Sequence, residues 1–513
     1  MSFFESLIAL LLLAILLLQI SRRTWIPYPT MLAAAGVAVA LVPGAPAIGL
    51  DGHTALALFI APVLLDAAFD FPLSAVRTLW RPLLALAVGA VVATTLVVAW
   101  IGWAFAGLPV AAAVALGAIV APPDAAAATT VLRSARLPRR MVEVLTGESL
   151  LNDAAALLLF GAAVAIQANG GLDGGVVLRL GIAAPGGILL GIASAFINRK
   201  ILPFVDGSLG GNLLQFVNTY LVWLIADRLG LSPVLAIVAL AMTIASFSVV
   251  RNAARDRVQS YAVWSAVVFL LNVLAFLLMG MQASAIIEGM TDARLREAMG
   301  FAGLVVAAVV VTRMVWVLGY GWLARRIRGL HGSLRPPTVA HGIVVGWCGM
   351  RGLVTLAAAL ALPRDFPQRD LILLSAFGVV LATLVVQGLT LSPLIRLLGL
   401  HHGNEGEREL CGARRALADA ALTALDGETA APASQLRHMF EADRAALDGG
   451  PAAAAREERE RLKRAAIVAQ RDRLYAMRDD GTIGSDSFML LQEELDWREL
   501  AVGAEGGQAI EES

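Results

Sequence analysis

Charged side chains stand in this chain where a lipid-like environment tolerates them least. Asp124, Glu148, Asp153, Arg313 and Arg351 fall near the middle of long apolar runs, and Asp66 falls nearer the end of another. An ionisable group at the centre of a bilayer costs about 2.5–3.5 kcal/mol even on the lenient insertion scale, so each is a functional suspect. The three central acids and two arginines sum to −1. If each arginine takes one carboxylate, one negative charge is left to hold a proton or a cation. Counting Asp66 makes the sum −2.

The string Gly147-Glu148-Ser149-Leu150-Leu151-Asn152-Asp153 concentrates this chemistry. On a helix, Ser149 and Asp153 share one stripe, Glu148 and Asn152 share another, and the two stripes adjoin. The resulting face offers carboxylate, hydroxyl and amide oxygens, the ligands that hard cations prefer. A polar seam that merely joins helices is the alternative. Arg313 needs a buried acid, since removing one partner of a buried pair leaves a costly charge. Glu148 is the candidate, which leaves Asp124 and Asp153 for the ion; the alternative is an arginine that reaches the interface.

These side chains need elements that bend at membrane depth. Pro122-Pro123 before Asp124 removes two backbone donors and predicts a break in the helix. Broken backbone is tolerated there only when it lines a cavity or is buried in protein. A Pro kink with an Asp reaching for the interface is the plainer reading. Gly346-Trp347-Cys348-Gly349-Met350-Arg351-Gly352 interrupts a later run with three glycines and an arginine. Paired broken helices in corresponding positions point to a transporter site.

The scaffold is apolar throughout. Of 513 residues, 58% are hydrophobic and 16% charged, against about 25% charged in soluble domains. Crossing a bilayer takes about 20 apolar residues. Candidate runs are 3–20, 25–42, 51–69, 82–106, 108–132, 139–168, 176–198, 209–229, 231–250, 258–282, 301–323, 339–362 and 371–398. That predicts an all-α polytopic membrane protein with about 13 transmembrane helices. The separation of 209–229 from 231–250 rests on Asp227-Arg228-Leu229-Gly230 alone. With the seventh as linker, the two breaks fall seven spans apart, in two inverted six-helix repeats. With the N-terminus outside, inside loops carry 17 Lys and Arg and outside loops 6, the bias expected of that orientation. The first run lacks a small-residue cleavage site and reads as a retained span, not a signal peptide.

The net charge of zero hides a split: residues 1–400 carry 26 basic and 17 acidic side chains, residues 401–513 carry 14 and 23. The chain therefore divides into a membrane domain, 1–400, and a cytosolic helical tail, 401–513. Tail helices are expected near 408–424, 435–446, 456–478 and 485–500, with breaks at Asp448-Gly449-Gly450-Pro451 and Asp479-Asp480-Gly481. The tail reads as regulatory or assembly-related. The two cysteines, Cys348 and Cys411, lie in unlike surroundings, so no disulfide is expected. No basic stripe favours nucleic acid.

Enzyme readings find little. Thr146-Gly147-Glu148-Ser149 matches the dephosphorylation string of P-type ATPases, but no phosphorylation site accompanies it. Neither lysine, Lys200 or Lys463, completes a phosphate-binding loop, so no ATP use is encoded. The six histidines are scattered, without a metalloprotease motif. No cofactor is expected. A cation channel could use the same polar seam.

At these residues the chain resembles the sodium/proton exchanger branch of the cation/proton antiporter superfamily, and most of all its bacterial members with a cytosolic tail. The resemblance rests on Ala61-Pro62-Val63-Leu64-Leu65-Asp66-Ala67-Ala68, on Pro122-Pro123-Asp124-Ala125 and, most specifically, on the string 147–153. It also rests on the stretch 264–282, on Thr312-Arg313, on Gly349-Met350-Arg351-Gly352, and on Glu493-Glu494-Leu495-Asp496 before Trp497. It implies a secondary transporter of Na⁺, Li⁺ or K⁺ against H⁺, a homodimer in the bacterial inner membrane with its tail in the cytoplasm. Asp153 would carry cation or proton, Asp124 would support the site, and Ser149 would lend an oxygen. Asn152 would hold Glu148, and Arg313 would pair with Glu148. Arg351 would lie on the second broken helix. An Asn-Asp pair goes, in this superfamily, with electroneutral one-for-one exchange. Pro123 and Thr146 depart from the usual pattern, and both bear on cation choice.

Overall fold

The computed structural model describes residues 3–21, 28–40, 52–124, 138–171, 173–204, 209–248, 254–288, 291–327, 338–400 and 405–503. Every regular element among these residues is helical. The chain divides into two units, Met1–His401 and His402–Glu512.

In the first unit the helices are α1 (Phe3–Ser21), α2 (Tyr28–Ala40), α3 (52–69), α4 (Leu73–Ala106), α5 (Val110–Val120), α6 (Arg139–Asn169) and α7 (Gly174–Ile201). There follow α8 (Leu209–Arg228), α9 (Pro233–Ser248), α10 (Ala254–Glu288), α11 (Asp292–Arg326), α12 (Val339–Trp347), α13 (Leu353–Leu360) and α14 (Arg369–Leu397). Among the described residues six helices are long and apolar enough to cross a bilayer, and four shorter ones are apolar. With helices this apolar stacked across one unit, the molecule is a multi-pass membrane protein.

The helices and the apolar runs differ at their ends. α4 begins nine residues before its run, because Arg77, Trp80 and Arg81 extend it as an amphipathic turn. α11 likewise runs from Asp292 to Arg326, since a helix continues into polar surroundings where hydropathy stops. The run 108–132 holds a helix only to Val120, and 125–137 lie outside the described residues. α8 and α9 are separate helices, with Gly230 in the left-handed region between them at φ 67°.

Among the described residues three helices contain a widened π-helical turn: Leu56–Ile60 in α3, Ala85–Ala90 in α4 and Thr383–Gln387 in α14. Each takes a partner from elsewhere in the fold. The Tyr220 hydroxyl donates to the Leu58 carbonyl at 3.2 Å, the Trp316 indole donates to the Ala85 carbonyl at 2.9 Å, and the Thr383 hydroxyl accepts the Arg351 amide at 3.0 Å. Such turns occur mostly as single insertions, often at functional sites. α7 and α9 pack backbone to backbone: Gly187 lies against the Ser232 carbonyl, and Gly191 against that of Ala236, too close for any side chain.

The second unit has α15 (Glu405–Ala424), α16 (Ala431–Ala446), α17 (Pro451–Asp479) and α18 (Ser485–Gly503). Each starts within a few residues of its sequence estimate, and α16 and α17 start earlier because Pro432 and Pro451 suit a helix's first turn. Leu474, Phe488 and Leu495 form a small buried cluster, with Ile483 packed on it.

Candidate cation-binding site

Two broken helices meet at the centre of the first unit. α5 stops at Val120 because Pro122 and Pro123 have no amide hydrogen for the carbonyls a turn earlier. In an unbroken helix the Asp124 amide would close onto the Val120 carbonyl. It instead donates to the Met350 carbonyl, at 2.7 Å, in the break between α12 and α13. The Val120 carbonyl is taken by Arg351 Nε at 3.1 Å, and the Ala121 carbonyl by Arg351 Nη2 at 3.3 Å. Arg351 Nη1 donates to the Gly349 carbonyl. The two breaks thus exchange hydrogen bonds and hold each other open.

This overturns part of the charge arithmetic. Arg351 is fully buried and held by backbone carbonyls, and among the described residues no carboxylate pairs with it. Its charge faces the C-terminal end of α5, where the helix dipole is negative. Asp124 plays the converse part. Its carboxylate lies against Gly352, the residue just before α13, so closely that any side chain there would collide with it. A carboxylate at that end faces the positive pole of a half-helix. Asp124 is half-buried.

α6 lays its polar face along the crossing. Glu148 and Arg313 of α11 form a two-pronged ion pair, Nη1 to Oε1 at 2.5 Å and Nη2 to Oε2 at 3.1 Å. Arg313 Nη2 also donates to the Val345 carbonyl of α12, at 3.2 Å. Both side chains are almost fully buried. Asn152 does not hold Glu148. Its Nδ2 donates to the Pro123 carbonyl at 2.7 Å, because the break turns that carbonyl toward α6 and Arg313 already occupies both oxygens of Glu148. The Asn152 Oδ1 is buried with no hydrogen-bond partner among the described residues.

Asp153 follows directly. It is 6% exposed, and among the described residues no basic side chain or hydrogen-bond donor pairs with it. Asp124 is its electrostatic neighbour. Ser149, one turn earlier on α6, is half-buried. Asp66 is half-buried on α3, with Tyr261 of α10 in electrostatic reach. Among the described residues no three His, Cys, Asp or Glu side chains converge to hold a metal ion. The centre instead offers the Asp153 carboxylate, without a basic partner among the described residues, and on the preceding residue an amide oxygen with free lone pairs, oxygens of the kind a hard cation of low charge prefers. The carbonyls of Pro123 and Met350 and the hydroxyl of Thr383 complete this architecture. Backbone groups carry no residue signature, and Thr383 shows in the sequence only as a polar residue inside an apolar run.

The sodium/hydrogen exchanger transmembrane family matches residues 8–397. A protein of Mycobacterium tuberculosis (strain H37Rv), named an uncharacterized Na(+)/H(+) exchanger, is 32% identical over 413 residues, covering 77% of this chain and 75% of its own. The sodium, potassium, lithium and rubidium/H(+) antiporter of Bacillus subtilis (strain 168) is 28% identical over 381 residues, covering 71% of this chain and 57% of its own. A solved structure of a sodium proton antiporter from Methanocaldococcus jannaschii at pH 8 superposes with a TM-score of 0.61 at 19% identity. It covers 76% of this chain and 100% of that one, a likeness of fold.

Proposed function

The chain belongs to the sodium/hydrogen exchanger family, and on that premise we propose that it exchanges a monovalent cation for protons, with Asp153 carrying one or the other. The observation behind this reading is that Asp153 is buried in an apolar span without a basic partner among the described residues, while Glu148 has Arg313 and Arg351 has the α5 carbonyls. A lone buried carboxylate is neutralised by a proton or by a cation, and one charge cannot serve both at once. Each ligand therefore displaces the other, which couples the two flows.

Asn152 Oδ1 and Ser149 supply further oxygens to the cation. Asp124 and Arg351 hold the crossing, each against the pole of a half-helix, so the site keeps its shape while charge comes and goes. Alternating access moves α5, α6, α12, α13 and α14 against the rest. The full architecture is thirteen crossings in two inverted repeats, N-terminus outside and tail in the cytoplasm of a bacterium. It works as a homodimer, and exchange is electroneutral and one for one. The Lys and Arg bias of 17 to 6 supports the orientation. Na⁺ and Li⁺ are the first candidates and K⁺ the alternative; a relative named for sodium, potassium, lithium and rubidium supports testing all of them.

The test uses purified protein in liposomes loaded with a pH dye, with Na⁺, Li⁺ or K⁺ added outside, beside Asp153→Asn. Protons are expected to move against the added cation, independently of clamped voltage, and the variant to be silent. Cation flux without proton movement would indicate a channel. Full activity in Asp153→Asn would sink the proposal.

A further inference from the structure

Gln387 is a buried polar side chain for which the exchange site has no use. It ends the π-helical turn of α14 and is 1% exposed. Neither its Nε2 nor its Oε1 has a hydrogen-bond partner among the described residues. Thr383 and Thr390 lie one turn to either side of it, at the spacing that shares a helix face. Both are tied to the second break. The Thr383 hydroxyl accepts the Arg351 amide at 3.0 Å, and the Thr390 hydroxyl accepts the Trp347 indole at 2.9 Å. The stripe therefore meets the second break at two points, buried at Thr383 and exposed at Thr390, and Gln387 is the buried residue between them in the chain.

A buried amide idle at both ends is unfavourable, and replacing it with an apolar side chain of similar shape is neutral or stabilising. Such groups are few in native interiors, and each calls for an explanation. Carboxamide oxygens are ligands that hard cations accept. The Thr383 hydroxyl donates within α14 and accepts from Arg351, which leaves it a further lone pair.

We propose that Gln387 and Thr383 form a second binding station for the transported monovalent cation, at the second break and distinct from the Asp153 carboxylate. The carboxamide oxygen replaces a water of the cation's shell on its way to or from Asp153. A neutral ligand of this kind distinguishes cations by size and hydration, so the station contributes to cation choice. The inference rests on the exchange reading above.

The experiment measures exchange against concentration for Na⁺, Li⁺, K⁺ and Rb⁺ in proteoliposomes, comparing wild type, Asp153→Asn and Gln387→Met, with thermal unfolding of each. Gln387→Met is expected to keep or raise the unfolding temperature. It should raise the half-saturating concentration of the preferred cation about tenfold, the worth of one hydrogen bond-strength contact to a charge, and alter the ratio among the four ions. Half-saturation and ratios indistinguishable from wild type would overturn the station. So would a less stable variant with unchanged affinity, since that amide would be structural. If the Met variant cannot be purified folded, Gln387→Glu keeps the oxygen and adds charge. Half-saturation should then fall and become pH-dependent, and a wild-type profile overturns the proposal. A wild type without cation-coupled proton movement, or an active Asp153→Asn, would instead mark failure of the exchange reading itself.

Discussion

Arg313 and Arg444 each meet one carboxylate, in opposite surroundings. The Arg313–Glu148 pair lies inside the first unit with its side chains 2% and 1% exposed. The Arg444–Asp419 pair joins α16 to α15 at 3.0 Å with side chains 50% and 46% exposed. At the crossing the first unit gives Glu148 and Arg313 each other and sets Arg351 and Asp124 against helix ends, leaving Asp153 apart. The second uses many charges, including Arg415–Asp448, Arg459–Asp443, and Arg471 with Asp496 and Glu499, around a core of a few side chains. Identical chemistry thus holds a site in one region and fastens a solvated surface in the other. What separates the two is the cost of leaving a charge alone: large where water cannot reach, small where it can.

The sharpest way to break this comparison is to orphan one partner in each region. Arg313→Ala leaves Glu148 buried without its cation and should cost about 3–5 kcal/mol, measured as lost thermal stability of the purified protein. Adding Glu148→Leu to Arg313→Met should recover most of it, because removing both charges removes the penalty. Next in size is Gly352→Val at the crossing. Its side chain meets the Asp124 carboxylate, so about 1–3 kcal/mol of strain and a steep fall in exchange rate are expected, with tail helicity unchanged. Arg444→Ala should cost at most about 1 kcal/mol, shrinking further in 1 M salt. A loss as large as that of Arg313→Ala would erase the distinction between the regions.

The smallest effect concerns pH. The Asp480 carboxyl, in the turn after α17, is held below its usual range by the Thr482 hydroxyl and then by the Thr482 amide. A lowered carboxyl pKa adds stability above the unfolded value of about 3.9, and that stability fades as pH falls through the lower folded value. Asp480→Asn should therefore weaken the turn at neutral pH and match the native protein in strong acid, followed by the helical signal of the tail. A difference between the two that changes between pH 6 and 8 would contradict it.

Much of this architecture is legible in residue order. Thirteen apolar runs announce a membrane protein because hydropathy over about 20 residues is a local property. Pro122-Pro123 forecasts the end of α5, since a missing amide hydrogen needs no tertiary context. The string 147–153 marks α6 as the polar helix by periodicity alone. The partners were less legible. The family resemblance implies Asn152 as the holder of Glu148, yet it bonds to the Pro123 carbonyl, 29 positions away. Arg351 reads as seeking an acid, yet it takes the Val120 carbonyl, 231 positions away. Carbonyls carry no residue identity, so no pattern of side chains could single them out.

Composition, hydropathy and the placement of prolines, glycines and buried charges were thus enough to determine the kind of protein, the breaks and the suspects. Only the tertiary structure decided which charges stay paired. It brought the breaks of α5 and of α12–α13 together so that their stranded backbone groups satisfy each other. It spent Arg351 on helix carbonyls, and so left Asp153 a buried carboxylate without a basic partner among the described residues. The physical reason is that helices are specified by neighbours in the chain, whereas the cost of a buried charge is set by whatever the fold brings against it.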